Sequence, residues 1–89
     1  MYADEAIQAV RELCRKHSAI QVILFGSRAK GTAQPTSDID IAVSGVQEID
    51  LLLEEIEMLP TLYTVDIVDL DTCKNELLLE DIRKYGQQI

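Results

Sequence analysis

The sequence predicts a single α/β (α+β) domain spanning residues 1–89, in which short strands alternate with amphipathic helices. Two observations lead to this prediction. Three short runs rich in β-branched residues are separated by segments whose apolar residues recur at helical spacing. In addition, 89 residues with 47% apolar and 27% charged composition suffice for one packed core and leave no room for a second domain. The predicted element order is αβ(α)βαβα.

The first helix is predicted from Asp4 to about His17, with Asp4 available as its N-terminal cap. Its apolar residues recur at helical spacing, at Ile7, Val10, Leu13 and Cys14. The run Ile20–Phe25 follows, and it is too short and too β-branched for a helix. We therefore expect a buried strand that ends at Gly26.

Gly26 and Ser27 form a predicted turn at the end of that strand, and residues 28–30 form one helical turn stopped by the next glycine. Residues 32–37 have loop composition and contain a proline. The second strand is predicted at Ile39–Val43, where β-branched and apolar residues resume.

The second half of the chain predicts a helix, a strand and a helix. Apolar residues mark one face of a helix over residues 49–59, and Pro60 ends it. Tyr63–Val68 reads as the third strand, and the last helix runs from about Lys74 to Tyr85. Gly86 is placed as a helix C-terminal cap, and we expect any further strand to be missing or supplied elsewhere.

Composition limits the partners and the compartment. A formal net charge of −8 opposes binding to long RNA or DNA, although a metal ion could still bridge a triphosphate to an acidic pocket. Cys14 and Cys73 form no CxxC pair, so neither a zinc site nor a redox motif is indicated. No signal peptide or membrane-spanning run is present, and we expect a soluble, cytoplasmic protein without membrane contact.

Asp38 and Asp40 are the first candidate site residues. Side chains alternate along a strand, so two carboxylates at i and i+2 point to the same face, with Cα atoms about 6.6 Å apart. Like charges this close persist most readily when a cation neutralises them. Carboxylate oxygens suit magnesium.

Asp66 is the third candidate, because it lies within the apolar run of the third predicted strand. Asp69 has the opposite parity and is expected to end that strand at the solvent edge. A purely structural interpretation stays open for all three carboxylates, with Asp38 in a turn and the other two on half-exposed strands. Their order along the chain, after a strand ending in Gly-Ser, favours a site.

Gly26 and Ser27 are candidates for phosphate binding, since glycine lets the backbone approach an anion and serine adds a hydroxyl donor. An ordinary turn is the alternative. The segment Gly26–Gly31 has the glycine spacing of a P-loop, but Thr32 stands where that motif requires lysine. A P-loop NTPase is therefore excluded.

Taken together, three motifs resemble the minimal nucleotidyltransferases of the DNA polymerase β-type nucleotidyltransferase superfamily. The motifs are Gly26-Ser-Arg-Ala-Lys-Gly31, Ser37-Asp-Ile-Asp-Ile-Ala-Val43 and Val65-Asp-Ile-Val68. The resemblance covers nearly the whole chain. It implies the nucleotidyltransferase fold, a mixed β-sheet flanked by helices, with the motif strands adjacent.

The resemblance also implies a mechanism. Asp38 and Asp40 would hold two Mg²⁺ ions on the triphosphate of ATP, and Asp66 would bind metal on the acceptor side and help deprotonate the acceptor. Gly26 and Ser27 would hold the β- and γ-phosphates. For Arg28 and Lys30, the expected role is an exposed salt bridge or a solvated face.

Members of this superfamily usually carry a further acceptor-binding domain, so the resemblance implies a partner. It points to the antitoxin of a HEPN toxin–antitoxin pair, a protein adenylyltransferase that transfers AMP from ATP to a tyrosine of the HEPN toxin. The alternative is a non-catalytic antitoxin that neutralises its HEPN partner by binding alone. A third hypothesis is nucleotidyl transfer to a small molecule or to RNA.

Overall fold

The computed structural model describes residues 1–89, which form one four-stranded sheet with helices on both faces. The helices are α1 (Ala3–Lys16), α2 (Ser27–Lys30), α3 (Ile49–Glu57) and α4 (Glu76–Tyr85). The strands are β1 (Gln21–Phe25), β2 (Ile39–Ser44), β3 (Val65–Asp69) and β4 (Gln87–Gln88). None of the helices is long and apolar enough to cross a membrane.

The sheet is mixed, with the strand order β3-β2-β1-β4. β1 pairs with β2 and with β4 in antiparallel fashion, whereas β2 and β3 are parallel. Consequently, the end of β1 lies at the same edge of the sheet as the starts of β2 and β3. The Gly-Ser turn and the motif carboxylates meet at this edge.

The main core fills one face of the sheet. Ile39, Ile41 and Val43 are fully buried on this face and contact residues of α1 and α3. Among these are Val10 of α1 and Leu52 of α3, which have no exposed surface. This alternation along β2 leaves the residues between them, Asp40 among them, for the opposite face.

The opposite face has a much smaller core, formed by Phe25, Ala42 and Ile82. α4 packs on this face through Ile82 and Leu78. Leu77 of the same helix does not take part, since it is 81% exposed. The candidate carboxylates therefore lie on the open face of the sheet.

Five details of the prediction are corrected. α1 begins at Ala3 rather than after an Asp4 cap, and the Tyr2 amide donates to Glu5 Oε1 at 3.0 Å. α3 ends at Glu57, before Pro60, and β3 covers residues 65–69 rather than 63–68. α4 begins at Glu76, because the Asn75 side chain caps it by accepting from the Leu78 amide at 3.1 Å.

The fifth correction concerns the C-terminal segment, where a strand was not predicted within the chain. Residues 87–88 pair with β1 as β4, opposite Ile23 and Leu24. Gly86 is the C-terminal cap of α4, as predicted, and its amide donates to the Ile82 carbonyl at 2.8 Å, with an extended backbone (φ −64°, ψ 147°). A Cβ at Gly86 would lie 2.6 Å from Ile23 Cγ2 and would clash with the Ile82 carbonyl oxygen. Glycine is needed here for close packing against β1.

Candidate active site

Asp40 and Asp66 lie directly opposite each other on the parallel strands β2 and β3. Directly opposite residues share a face of the sheet, so both carboxylates lie on the open face. They are close enough to share a hydrogen bond when one of them is protonated. The expectation from the family resemblance that the motif strands are adjacent is therefore confirmed.

Gly26 lies beside the Asp40 carboxylate, at the end of the neighbouring strand β1. Phe25 is paired with Asp40 across β1 and β2, so the next residue of the chain passes beside the Asp40 carboxylate. Gly26 has φ 72° and ψ −155°, and a Cβ there would clash with Asp40 Oδ2. The predicted phosphate-binding turn and the predicted metal ligand are thus in direct contact.

The surroundings of Asp40 oppose a negative charge. Burial raises the pKa of the Asp40 carboxyl above its ordinary value, and the charges of Asp66 and Asp38 raise it further. A cation at this position would relieve both effects, because it replaces lost hydration and neutralises the repulsion. The electrostatics of the pair therefore favour a bound cation.

Asp38 lies immediately before β2 and is exposed. It has the same parity as Asp40, and its charge acts on Asp40. Arg28 holds the loop that precedes Asp38, because its Nη2 donates to the Ser37 carbonyl at 2.7 Å. Asp38 thus borders the site, while Asp40 and Asp66 form its contact pair.

Asp69 has a different role. It is the last residue of β3, and its Oδ1 accepts from the Asp71 amide at 3.0 Å. Its carbonyl accepts from the Cys73 amide at 2.9 Å. Asp69 therefore organises the turn after β3, which agrees with the choice of Asp66 by strand parity.

The carboxylates could supply some, but not all, of the ligands of a magnesium ion. No group of three or more histidine, cysteine, aspartate or glutamate side chains is arranged to hold a metal ion by itself. Mg²⁺ commonly keeps several waters and is held by one or two carboxylates together with substrate phosphates. Asp40 and Asp66 form a donor set of this kind, because they lie opposite each other beside the turn at Gly26.

A cleft of about 340 Å³ lies near the same edge of the sheet but on its other side. It is lined by Met1, Pro35, Thr36, Pro60, Leu62 and Tyr63. Tyr63 packs against the main core, on the face opposite the carboxylates. The carboxylates themselves therefore lie on an open surface, without walls of this chain to enclose an acceptor.

Comparison with known families decides the identity of the fold. The profile of the family described as polymerase beta, nucleotidyltransferase matches residues 8–89. The chain belongs to this nucleotidyltransferase family. The family resemblance and the nucleotidyltransferase fold inferred from the three motifs are thereby confirmed.

Solved structures agree with this assignment. A minimal nucleotidyltransferase structure is 30% identical with a TM-score of 0.66, over 97% of this chain and 89% of that chain. A toxin–antitoxin crystal structure with AMP-PNP is 28% identical with a TM-score of 0.71, over 92% and 70% of the two chains.

A mutant of the toxin–antitoxin MntA–HpeT is 26% identical with a TM-score of 0.69, again over 92% and 70%. A search of curated proteins found no match. This nucleotidyltransferase domain is thus similar in sequence and in structure to chains from toxin–antitoxin complexes.

For Arg28, near the site, the sequence predicted an exposed salt bridge or a solvated face, and its role was missed. It forms no ion pair with a carboxylate and is partly buried, and its guanidinium carbon lies 5.2 Å from the centroid of the Tyr63 ring. Lys30 does form the expected salt bridge, with Asp81 at 3.0 Å. An arginine directly after the Gly-Ser turn was the available signal, but its partners are distant in sequence.

Proposed function

We propose that this nucleotidyltransferase is the antitoxin of a toxin–antitoxin pair and transfers AMP from ATP to a tyrosine hydroxyl of a HEPN-domain toxin, using Mg²⁺. The observation that carries the proposal is the contact of the Gly26 backbone with the Asp40 carboxylate, with Asp66 directly opposite. A turn suited to phosphate and a carboxylate pair suited to a cation meet at one sheet edge.

The similar structures support the toxin–antitoxin, nucleotide, aspartate and tyrosine parts of this proposal. One toxin–antitoxin structure contains AMP-PNP, an analogue of ATP. An MntA–HpeT mutant carries two aspartate-to-glutamate substitutions two positions apart, the spacing of Asp38 and Asp40. Another carries a tyrosine-to-alanine substitution. These are the residue types to which the proposal assigns metal binding and nucleotide acceptance.

In the proposed complex, Gly26 and Ser27 bind the β- and γ-phosphates of ATP through backbone amides and the serine hydroxyl. Asp38 and Asp40 hold two Mg²⁺ ions with the triphosphate, and Asp66 contributes on the acceptor side. When bound, Mg²⁺ neutralises the carboxylates and stabilises the charge that develops on the attacking and leaving oxygens.

The tyrosine oxygen of the toxin attacks the α-phosphorus, and its proton passes to Asp66, which is exposed toward the open face. The new oxygen–phosphorus bond forms as the bond from the α-phosphorus to the bridging oxygen breaks. Pyrophosphate leaves, and AMP stays on the tyrosine.

The open carboxylate surface explains why the acceptor site comes from a partner protein. A net charge of −8 favours a basic partner surface and opposes direct binding of this chain to long RNA. Cys14 and Cys73 are free thiols, which fits action in the reducing cytoplasm.

The test is to incubate the chain with its HEPN-domain partner, ATP and Mg²⁺ and to weigh the partner by mass spectrometry. We expect the partner to gain the mass of AMP, and we expect no gain when EDTA is present from the start of the incubation. Full inhibition of the partner without added mass would overturn the proposal and identify a binding antitoxin.

A further inference from the structure

Arg28 connects the segments that carry the candidate site residues. It belongs to α2, the helical turn that follows the predicted phosphate-binding residues. Its Nη2 donates to the Ser37 carbonyl at 2.7 Å, directly before Asp38. Its guanidinium lies over the ring of Tyr63, three residues before Asp66. One side chain thus contacts the loops that precede both carboxylate strands.

The contacts of Arg28 are unusual for a surface arginine. The Arg28 Nε atom is buried and has no hydrogen-bond partner. A buried, unpaired donor is costly, and the side chain gains no ion pair in return. The partners of its guanidinium are instead the Ser37 carbonyl and the Tyr63 ring, and these contacts align two neighbouring segments.

The loop held by Arg28 has little other support. Between Gly31 and β2 the chain has no regular secondary structure, and its own hydrogen bonds link Gln34 to Ser37 at 2.8 and 3.0 Å. Arg28 adds the short bond to Ser37 and a longer one to the Pro35 carbonyl at 3.5 Å. The Thr32 amide donates to the Ser27 carbonyl at 3.0 Å and the Ile39 amide to the Thr64 carbonyl at 2.9 Å, so the loss of Arg28 would loosen the residues between these two bonds, Asp38 among them.

We propose that Arg28 is a positioning residue that fixes Asp38 relative to the Gly26–Ser27 turn, using Tyr63 as the surface against which its guanidinium is held. The inference rests on the proposed function, since the geometry it maintains is that of nucleotidyl transfer. Arginine suits the role because its planar fork hydrogen-bonds and stacks at once. Lysine has the charge but not the fork.

Kinetics separate this role from direct contact with phosphate. Arg28→Lys and Arg28→Met should both lower kcat about 10- to 100-fold with little change in the KM for ATP, because misalignment affects the transition state. Direct phosphate binding predicts instead that Arg28→Lys is nearly active and that Arg28→Met raises KM. That second pattern would overturn the proposal.

Tyr63 and Lys30 supply matched variants. Tyr63→Phe should be fully active, whereas Tyr63→Leu should show part of the kcat loss and add nothing to Arg28→Lys, because the two residues act as one unit. Lys30→Met is the control: Lys30 lies in the same helical turn and 4.9 Å from the Tyr85 ring, but it contacts α4 through Asp81. It should leave kcat unchanged.

Hydrogen exchange gives a readout that does not depend on turnover. In Arg28→Lys the amides of residues 34 and 36–38 should exchange faster than in the wild type, and in Lys30→Met they should not. Unchanged exchange in Arg28→Lys would overturn the positioning role even if kcat fell. If the wild-type chain transferred no AMP, the proposed function would fail while the exchange experiment still decided whether Arg28 holds the loop.

Discussion

Gly26 packs directly against the carboxylate of Asp40. A Cβ at Gly26 would clash with Asp40 Oδ2 and lie 3.2 Å from its Cγ. The backbone angles of Gly26, φ 72° and ψ −155°, also belong to a region that only glycine adopts readily. Conformation and close approach thus both require glycine at the residue that joins β1 to α2.

Gly26→Ala should therefore impair both stability and AMP transfer. We expect a loss of about 1–3 kcal/mol from backbone strain. Displacement of the Asp40 carboxylate should lower transfer by roughly 100-fold. Urea unfolding and the partner-mass assay measure the two effects.

Gly31→Ala is the matched control for this substitution. Gly31 also has a positive φ, 75°, but nothing lies within 4 Å of a Cβ added there. The Gly31→Ala variant should lose roughly 1–2 kcal/mol of stability and keep the wild-type rate of AMP transfer. Equal activity losses in the two variants would show that the contact with Asp40 is not what matters.

The two cysteines should differ in reactivity. Cys14 is buried in the main core, and burial raises the pKa of its thiol to about 11. At pH 8 only about 0.1% of this thiol is ionised, and it is also sterically shielded. Cys73 is partly exposed. Iodoacetamide followed by peptide mass spectrometry should label Cys73 in the folded protein and Cys14 only after unfolding; early labelling of Cys14 would contradict the described core.

Glu55 should make stability depend on pH. Its carboxylate accepts from Lys16 Nζ at 3.1 Å and contacts His17 Nε2 at 3.2 Å, and these contacts lower the pKa of Glu55. A lowered folded-state pKa gives stability that is present above the ordinary glutamate pKa and lost as the pH falls through the lowered value. Glu55→Gln should be slightly less stable at pH 7.

The same comparison at pH 3 should show a much smaller difference between Glu55→Gln and the wild type, because the wild-type carboxylate is then losing its charge. Glu54→Gln is the control, since Glu54 is exposed on the same helix. Denaturant unfolding at the two pH values is the measurement. A pH-independent difference would mean that packing, and not charge, is the contribution of Glu55.

Strand parity was the part of the site that could be predicted from sequence. The alternation of Ile39, Ile41 and Val43 with Asp40 fixed which side of β2 each residue occupies, and the same rule chose Asp66 over Asp69. The first conclusion needs only the two-residue period of a strand, and the second also needs the position of Asp66 within an apolar run.

Contacts between distant segments could not be predicted in this way. β4 has two residues and no hydrophobic pattern, and it forms because Gly86 lets the chain approach Ile23. The stacking of Arg28 on Tyr63 joins residues that no local pattern relates. These features depend on tertiary packing, which short-range periodicity does not encode.

Asp40→Asn and Asp66→Asn should abolish AMP transfer without harming the fold. Removing one of two like charges directly opposite each other should leave stability unchanged or raise it by up to about 1 kcal/mol in the absence of metal. The wild type should gain about 2.7 kcal/mol at Mg²⁺-ATP concentrations near 100 times Kd, and both variants should lose this gain.

Asp69→Asn is the matched control, because asparagine keeps an acceptor for the Asp71 amide. Thermal unfolding with and without Mg²⁺-ATP measures the response. If Asp69→Asn lost the response and Asp66→Asn retained it, the assignment of the third carboxylate would be wrong.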